Sequence, residues 1–375
     1  METVDKLDVF FQGVRVGTMA PYQRLRIAFE YSEEWLRRGF SISPFSLPLQ
    51  PGVKIAKPDP FDGLFGIFAD SLPDGWGRLL VDRMLRRQGK RPEEIAPITR
   101  LSIVGSSGMG GLEYKPAYRL TGRISSADLD LLAEECRKVL QSEESGDLDL
   151  LYAMGGSSGG ARPKVMIKLG DEEWIVKFPS SGDPADIGLM EYEYNLCAAA
   201  CGIQIPEVRL FPSNHCAGYF GAKRFDREMT PAGEKKIHMA SASALLEVSH
   251  RIPSLDYTSL MGLTWHLTKR ADELLKIYTL MCFNVFAHNR DDHSNNFSYL
   301  CADGKWRLAP AYDLTYSNSM GGEHATTIAG EGRNPSVKDI LSVAKKTGIN
   351  MSTARQIAAG VEQTVHERLS GYLGS

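Results

Sequence analysis

No segment limits the fold more tightly than residues 268–288, TKRADELLKIYTLMCFNVFAH. Apolar side chains recur at Leu274, Leu275, Tyr278, Met281, Cys282, Val285 and Phe286, which is helical period, so the stretch predicts a helix buried in a core. A sharply polar run, HNRDDHSNN, follows at once. Next come two strand-like segments around Asp303-Gly304, a hairpin signal, and then RLAPAYDL. Any fold of this chain must therefore hang a polar loop, a hairpin and Asp313 from the end of one core helix.

A second feature is the run Met154 to Val165, MGGSSGGARPKV. Glycine permits close approach to a ligand at an entropic cost, so the run is either a solvated linker or a loop that grips an anion. It is not a Walker A loop, because Ala161 and Arg162 stand where Lys-Ser/Thr is needed, and no window gives GxGxxG. After it, VMIKLG and WIVKFP read as two strands around an acidic turn. DIGLMEYEYNLCAAACG reads as a helix ended by Gly202, and YFGAKRFDR as a further strand.

Residues 1 to about 120 read as mixed α/β. A strand, a Gln12-Gly13 turn and a second strand come first, and GWGRLLVDRMLRRQG forms a helix with Leu79, Leu80, Met84 and Leu85 on one side. From Thr121 to Leu150 the chain turns polar and acidic. Ser125 or Ser126 could cap a helix there, and QSEESGDLD marks a boundary. The tail beyond about Gly330 reads as helices. A formal net charge of -3 does not favour non-specific DNA binding. No apolar run reaches the ~18 residues of a membrane span, and the N-terminus lacks the pattern of an export signal. The six cysteines show neither CxxC nor zinc spacing, and Cys197 and Cys201 read as core thiols, so a cytoplasmic protein is expected.

Chemistry concentrates at four places. Asp291 and Asn296 stand in D-x-x-x-x-N spacing, with one carboxylate to accept a hydroxyl proton and one amide oxygen to reach a metal. A polar loop satisfying its own backbone is the plain alternative, and a zinc site from His288, Asp291, Asp292 and His293 is the rival one; hard oxygen donors suit magnesium better. Asp313, seventeen residues beyond Asn296, offers a second metal carboxylate, although an Asp after Ala-Tyr is commonly a turn residue. Lys177 lies in an apolar strand whose alternation puts Trp174 and Val176 on one face and Ile175 and Lys177 on the other. It is an edge residue or a phosphate-holding lysine with a helix carboxylate as partner. We expect Glu193 to be that partner and Glu191, about 200° away round the helix, to point elsewhere. Glycine loop, strand lysine, helix glutamate, D-x4-N and metal Asp together follow the order of a kinase.

With those motifs assembled, the chain resembles the HipA family of bacterial serine/threonine kinases, the toxins of type II toxin–antitoxin systems. VFFQGVRVGTM, FEYSEEWLRRG and LPDGWGRLL are similar to its N-terminal domain. GSSGGARPKV, WIVKFP, EYEYN, KRFDR, NRDDHSNNFS and PAYDL are similar to its kinase core. The resemblance implies an α+β, bilobal protein-kinase-like fold with an added N-terminal mixed α/β domain and a largely helical C-terminal lobe. The expected division is 1–122, a polar helical connector at 123–149, and a kinase core at 150–375. It implies ATP and Mg2+ as cofactors, Asp291 as catalytic base, and Asn296 and Asp313 as metal ligands. The ATP-facing set would be Gly156, Ser157, Ser158, Gly159, Gly160, Ala161, Lys164, Lys177, Glu193, Lys223, Phe225 and His293.

Family members phosphorylate a serine of their own glycine-rich loop, here Ser157 or Ser158, which would add about −1.5 to −2 charges beside the nucleotide. Implied partners are a protein substrate, with an aminoacyl-tRNA synthetase a candidate, and a small helix-turn-helix antitoxin of the HipB type through which DNA is met only indirectly. The chain departs from the family pattern at Lys223, at KIHMASASALL and at Asp292. A small-molecule phosphotransferase and a non-catalytic module that binds an antitoxin or DNA complex are the alternatives.

Overall fold

The computed structural model describes residues 4–23, 26–118, 128–142, 148–155, 159–231, 233–319 and 321–373. It divides into two compact units, Met1–Leu189 with Arg209–Met239, and Met190–Val208 with Ala240–Ser375.

In the first unit, strands Leu7–Phe11 and Val14–Tyr22 pair antiparallel and turn on Gln12 and Gly13, both at positive φ (49° and 80°). That is the two-residue connection the sequence asks for. Arg26–Tyr31 and Lys54–Ile55 extend the sheet on one side and Leu112–Lys115 on the other. The last strand ends at Lys115, before Pro116, which has no N–H to donate. A second sheet has the order Lys164–Leu169, Glu172–Lys177, Tyr219–Lys223, Val208–Phe211. Trp174 and Val176 are buried on one face, as alternation predicts.

Helix Gly75–Arg87 inserts Trp76, Leu80, Val81, Met84 and Leu85 into a core that also holds Val165, Trp174, Val176 and Phe178 of the second sheet. Helix Leu129–Leu140, from the polar segment, adds Leu132, Cys136 and Val139 to this core. Its N-cap is Asp128, whose carboxylate accepts the amides of Asp130 and Leu131; the expected caps Ser125 and Ser126 lie outside the described residues. One apolar core thus runs through sequence on both sides of 122 and of 149.

The second unit is built round the helix anticipated from its periodicity, Ala271–Phe286. Ile277, Tyr278, Met281, Cys282 and Phe283 are fully enclosed, and even Glu273 is buried, its carboxylate accepting Leu308 N at 2.6 Å and pairing with Lys276 at 2.6 Å. Helices Tyr257–Thr268 and Met351–Leu373 pack beside it. Strands Ser298–Ala302 and Lys305–Leu308 form the expected hairpin, turning on Asp303 and Gly304 at positive φ. Helix Ile187–Ala200 ends where Gly202 takes φ 78° and Ile203 N returns to Ala198 O. Cys197 is buried and Cys201 half-buried. Among the described residues no helix is long and apolar enough to cross a membrane.

Candidate functional site

The core helix delivers its polar loop as anticipated. Asn289 closes on the helix end, donating its backbone N–H to Asn284 O at 2.9 Å and its amide to Asn284 Oδ1 at 3.0 Å. Asp291 is 58% exposed at its side chain, and Asp292 is wholly buried. The two carboxylates of the rival zinc reading thus stand in different surroundings, one exposed and one buried. His293 Nε2 stands 3.8 Å from Asp291 Oδ1.

A 3-10 turn, Ser294–Asn296, follows, and Asn296 Nδ2 donates to the Asp291 carbonyl at 2.7 Å. A carbonyl oxygen only accepts, so the nitrogen end of this amide must face the loop. Asn296 Oδ1 is therefore the atom presented outward, a hard donor of the kind magnesium takes. Asp313 adopts φ 53°, the left-handed region that Asp tolerates better than most residues. Its neighbour Tyr312 donates to the carbonyl of Asn295 and lies 2.6 Å from Ser298 Oγ. One phenol thus ties the segment of Asp313 to the segment of Asn296. Sequence reading passed over Tyr312 and Ser298, although both lie inside the quoted motifs PAYDL and NNFS.

In the first unit, Gly156, Ser157 and Ser158 lie outside the described residues. Gly160 is held by the N-terminal sequence PDGW. Gly160 N donates to Asp74 Oδ1, and Trp76 N donates to Gly160 O at 3.1 Å. A Cβ at Gly75 would come within 2.5 Å of Gly160 O, so this approach demands glycine. Ala161 is exposed, and Arg162 Nε pairs with Asp183 at 3.1 Å.

Lys164 is only 4% exposed, with Nζ donating to Gly159 O. It is the ladder partner of Lys177, so both side chains leave the same face of the sheet. Lys177 Nζ lies 5.6 Å from the centre of the Phe220 ring. The register thus brings two lysine side chains to the sheet face at the end of the glycine loop.

Other expected residues are placed differently. Glu193 Oε2 accepts from Tyr372 OH of the C-terminal helix, whereas Glu191 is 2% exposed. The helical wheel puts the two on opposite faces, and in the structure it is the Glu191 face that packing buries, while Glu193, expected as the partner of Lys177, engages Tyr372. Lys223 Nζ pairs with Glu172 and holds that carboxyl below its usual range, so its side chain is engaged on the sheet. Phe225 is half-buried.

Between Lys223 and Arg227 lies a network that sequence reading missed. Asp226, fully buried, accepts Arg224 at 2.7 Å, Arg227 at 3.0 Å and Gly110 N at 2.6 Å. Both arginines also donate to Gly108 O at 3.2 Å, and Arg227 donates to Gly110 O at 2.8 Å. Burial alone would raise the Asp226 pKa; the two guanidinium charges and the Gly110 amide outweigh it and hold it low.

The profile of the HipA-like C-terminal domain matches residues 156–369, more than half of the chain, and that of the HipA N-terminal domain matches residues 7–115. The chain belongs to the HipA family. A relative in Sinorhizobium fredii (strain NBRC 101917 / NGR234), named "Putative kinase Y4mE", is 27% identical to this HipA-family chain over 347 residues, 83% of this chain and 77% of that protein. The HipA of the Shewanella oneidensis MR-1 toxin–antitoxin system, solved with HipB and its operator DNA, superposes with a TM-score of 0.72 at 15% identity, covering 98% of this chain and 90% of that one. This HipA-family chain therefore has the fold of a solved HipA. The Helicobacter pylori proinflammatory kinase CtkA is 14% identical and covers 55% of this chain and 90% of its own, with a TM-score of 0.38, too loose to bear on the fold.

Proposed function

We propose that this HipA-family protein is an ATP- and magnesium-dependent serine/threonine-protein kinase, a cytoplasmic toxin that phosphorylates a cellular protein and so arrests growth. The observation that carries the reading is the catalytic loop. Asp291 stands exposed at the end of a core helix, and the Asn296 amide is locked with its oxygen outward, five residues on. Asp291 accepts the proton of a substrate hydroxyl as that oxygen bonds to the γ-phosphorus, and ADP leaves with the electrons of the broken bond. Lys164, Lys177 and the amides of the glycine loop hold the phosphates in line, which is where most of the rate enhancement in such transfers arises. Asn296 and Asp313 would hold magnesium, which when bound supplies positive charge to the phosphates.

Transfer to Ser157 or Ser158 of the loop is part of the proposal, as is a helix-turn-helix antitoxin of the HipB type, by analogy with the Shewanella assembly. Asp291→Asn tests the reading. We expect phosphate transfer to fall by about 10²–10⁴-fold and growth arrest on expression to vanish. Arrest that survives the substitution overturns it. Comparing the phosphoproteins of cells expressing wild type and Asp291→Asn identifies the target, and phosphate on Ser157 or Ser158 in the wild type alone identifies the loop as a substrate.

A further inference from the structure

Asp292, the residue after the proposed base, is wholly buried at its side chain and is among the most heavily bonded carboxylates of the second unit. Its Oδ2 accepts Tyr257 OH at 2.8 Å and faces His324 Nδ1 at 2.9 Å, while Oδ1 accepts the backbone amides of Ala325 at 2.9 Å and Thr326 at 3.2 Å. Its own carbonyl accepts Thr326 Oγ1 at 2.6 Å. A second layer stands behind these donors: Asn284, on the core helix, donates to Tyr257 OH at 2.9 Å and receives Asn289 at 3.0 Å. Tyr257 is fully buried; burial first and the Asp292 charge second push its pKa well above the usual phenol value, so it remains a donor. The segment thus gathered, His324 to Thr327, pairs in parallel with Leu255 and Asp256, and Thr327 Oγ1 donates to Asp256 at 2.9 Å.

Geometry converts this anchor into a consequence for Asp291. Asp292 is wholly buried while its neighbour Asp291 is 58% exposed, so the bonds that fix the one side chain inward also hold the backbone from which the other reaches outward. We infer that Asp292 is a positioning residue of the phosphoryl transfer: it aims Asp291 and, through the same carboxylate, fastens the strand after Asp313 to the catalytic loop. This inference rests on the kinase reading. Among the described residues its bonds run to Tyr257, His324, Ala325 and Thr326, all of the second unit, so we expect its effect in the chemical step and not in nucleotide affinity.

The donors also predict which replacement succeeds. The amides of Ala325 and Thr326 can only donate, so they require an oxygen. Tyr257 OH and the imidazole of His324 can each reverse and accept. Asparagine fits in one orientation, with its oxygen on the two amides and its nitrogen toward Tyr257 and His324; alanine fits in none.

The experiment uses the full chain, magnesium and γ-labelled ATP, reading label transfer to the protein itself and ATP hydrolysis, with thermal unfolding of each variant. For Asp292→Ala we expect kcat to fall about 10²-fold, the scale of a misplacement of about 1 Å, with KM for ATP within about twofold. For Asp292→Asn we expect kcat within about fivefold of wild type and the same KM. Tyr257→Phe, which deletes one donor, serves if the alanine variant does not fold, with kcat expected to fall about 5–10-fold at unchanged KM. A folded Asp292→Ala whose kcat stays within threefold of wild type, or a loss carried in KM for ATP, overturns the inference alone. If the alanine variant does not fold, an unchanged kcat in Tyr257→Phe does the same. A wild type without magnesium-dependent turnover overturns the kinase reading and this inference with it.

Discussion

His238 gives a measurable pH signature to the first unit. It is fully buried between the rings of Phe11 and Phe40, at 6.2 Å and 5.5 Å, and its Nε2 lies 2.8 Å from the Ile42 carbonyl. That carbonyl only accepts, so Nε2 carries the proton of the neutral ring. Burial among apolar rings disfavours the imidazolium and lowers the pKa from 6.5 to about 4, the Ile42 bond opposing only in part. In the unfolded chain the ring titrates at its ordinary value. Between the two values the unfolded state binds a proton that the folded state refuses, so stability is full above about pH 6.5 and falls as pH drops toward 4. At about 1.4 kcal/mol per pH unit, the loss over this window is about 3 kcal/mol. His238→Gln keeps an amide N–H for Ile42 and removes the titration. Urea unfolding of both proteins at pH 7, 6, 5 and 4.5 should show the wild type losing about 3 kcal/mol relative to the variant toward the acid end. A stability difference that is constant across this range refutes the reasoning.

Two further substitutions probe the first unit. Asp74→Ala removes the acceptor of the Gly160 amide; we expect faster proteolysis within residues 156–163 and an ADP dissociation constant about 10-fold higher by calorimetry, since a charge-assisted bond to a half-buried carboxylate contributes about 1–2 kcal/mol. Asp226→Ala leaves Arg224 and Arg227 buried without their carboxylate, and chemical denaturation should show a loss of about 3–5 kcal/mol.

What the sequence disclosed was carried by neighbours in the chain. The turns at Gln12-Gly13 and Asp303-Gly304 need only two residues of suitable φ, and the core helix needs only its own period. The spacing of Asp291 and Asn296 is likewise local, and the hydrogen bond that orients Asn296 spans the same five residues. What stayed hidden depends on partners far along the chain. Asp226 meets Gly110 across 116 residues, Gly160 meets Asp74 across 86, and Asp292 meets Tyr257 and His324 from two directions. Glu191 and Glu193 show the limit of a helical wheel, which separates two faces without saying which one the rest of the protein covers.

The core around Trp76 and Trp174 bears on how this chain can be divided. Trp76, Leu80 and Met84 come from the sequence before residue 150 and share a core with Val165, Trp174 and Val176 of the glycine-loop sheet. A fragment starting at residue 150 would carry every proposed catalytic residue yet open a wall of apolar side chains to water, a surface prone to self-association. Its counterpart, ending before 150, would expose the matching wall. A gene cut there yields two sticky halves whose natural remedy is each other. For this kinase-like chain, the practical unit of expression, of complementation and of inheritance is therefore the whole polypeptide.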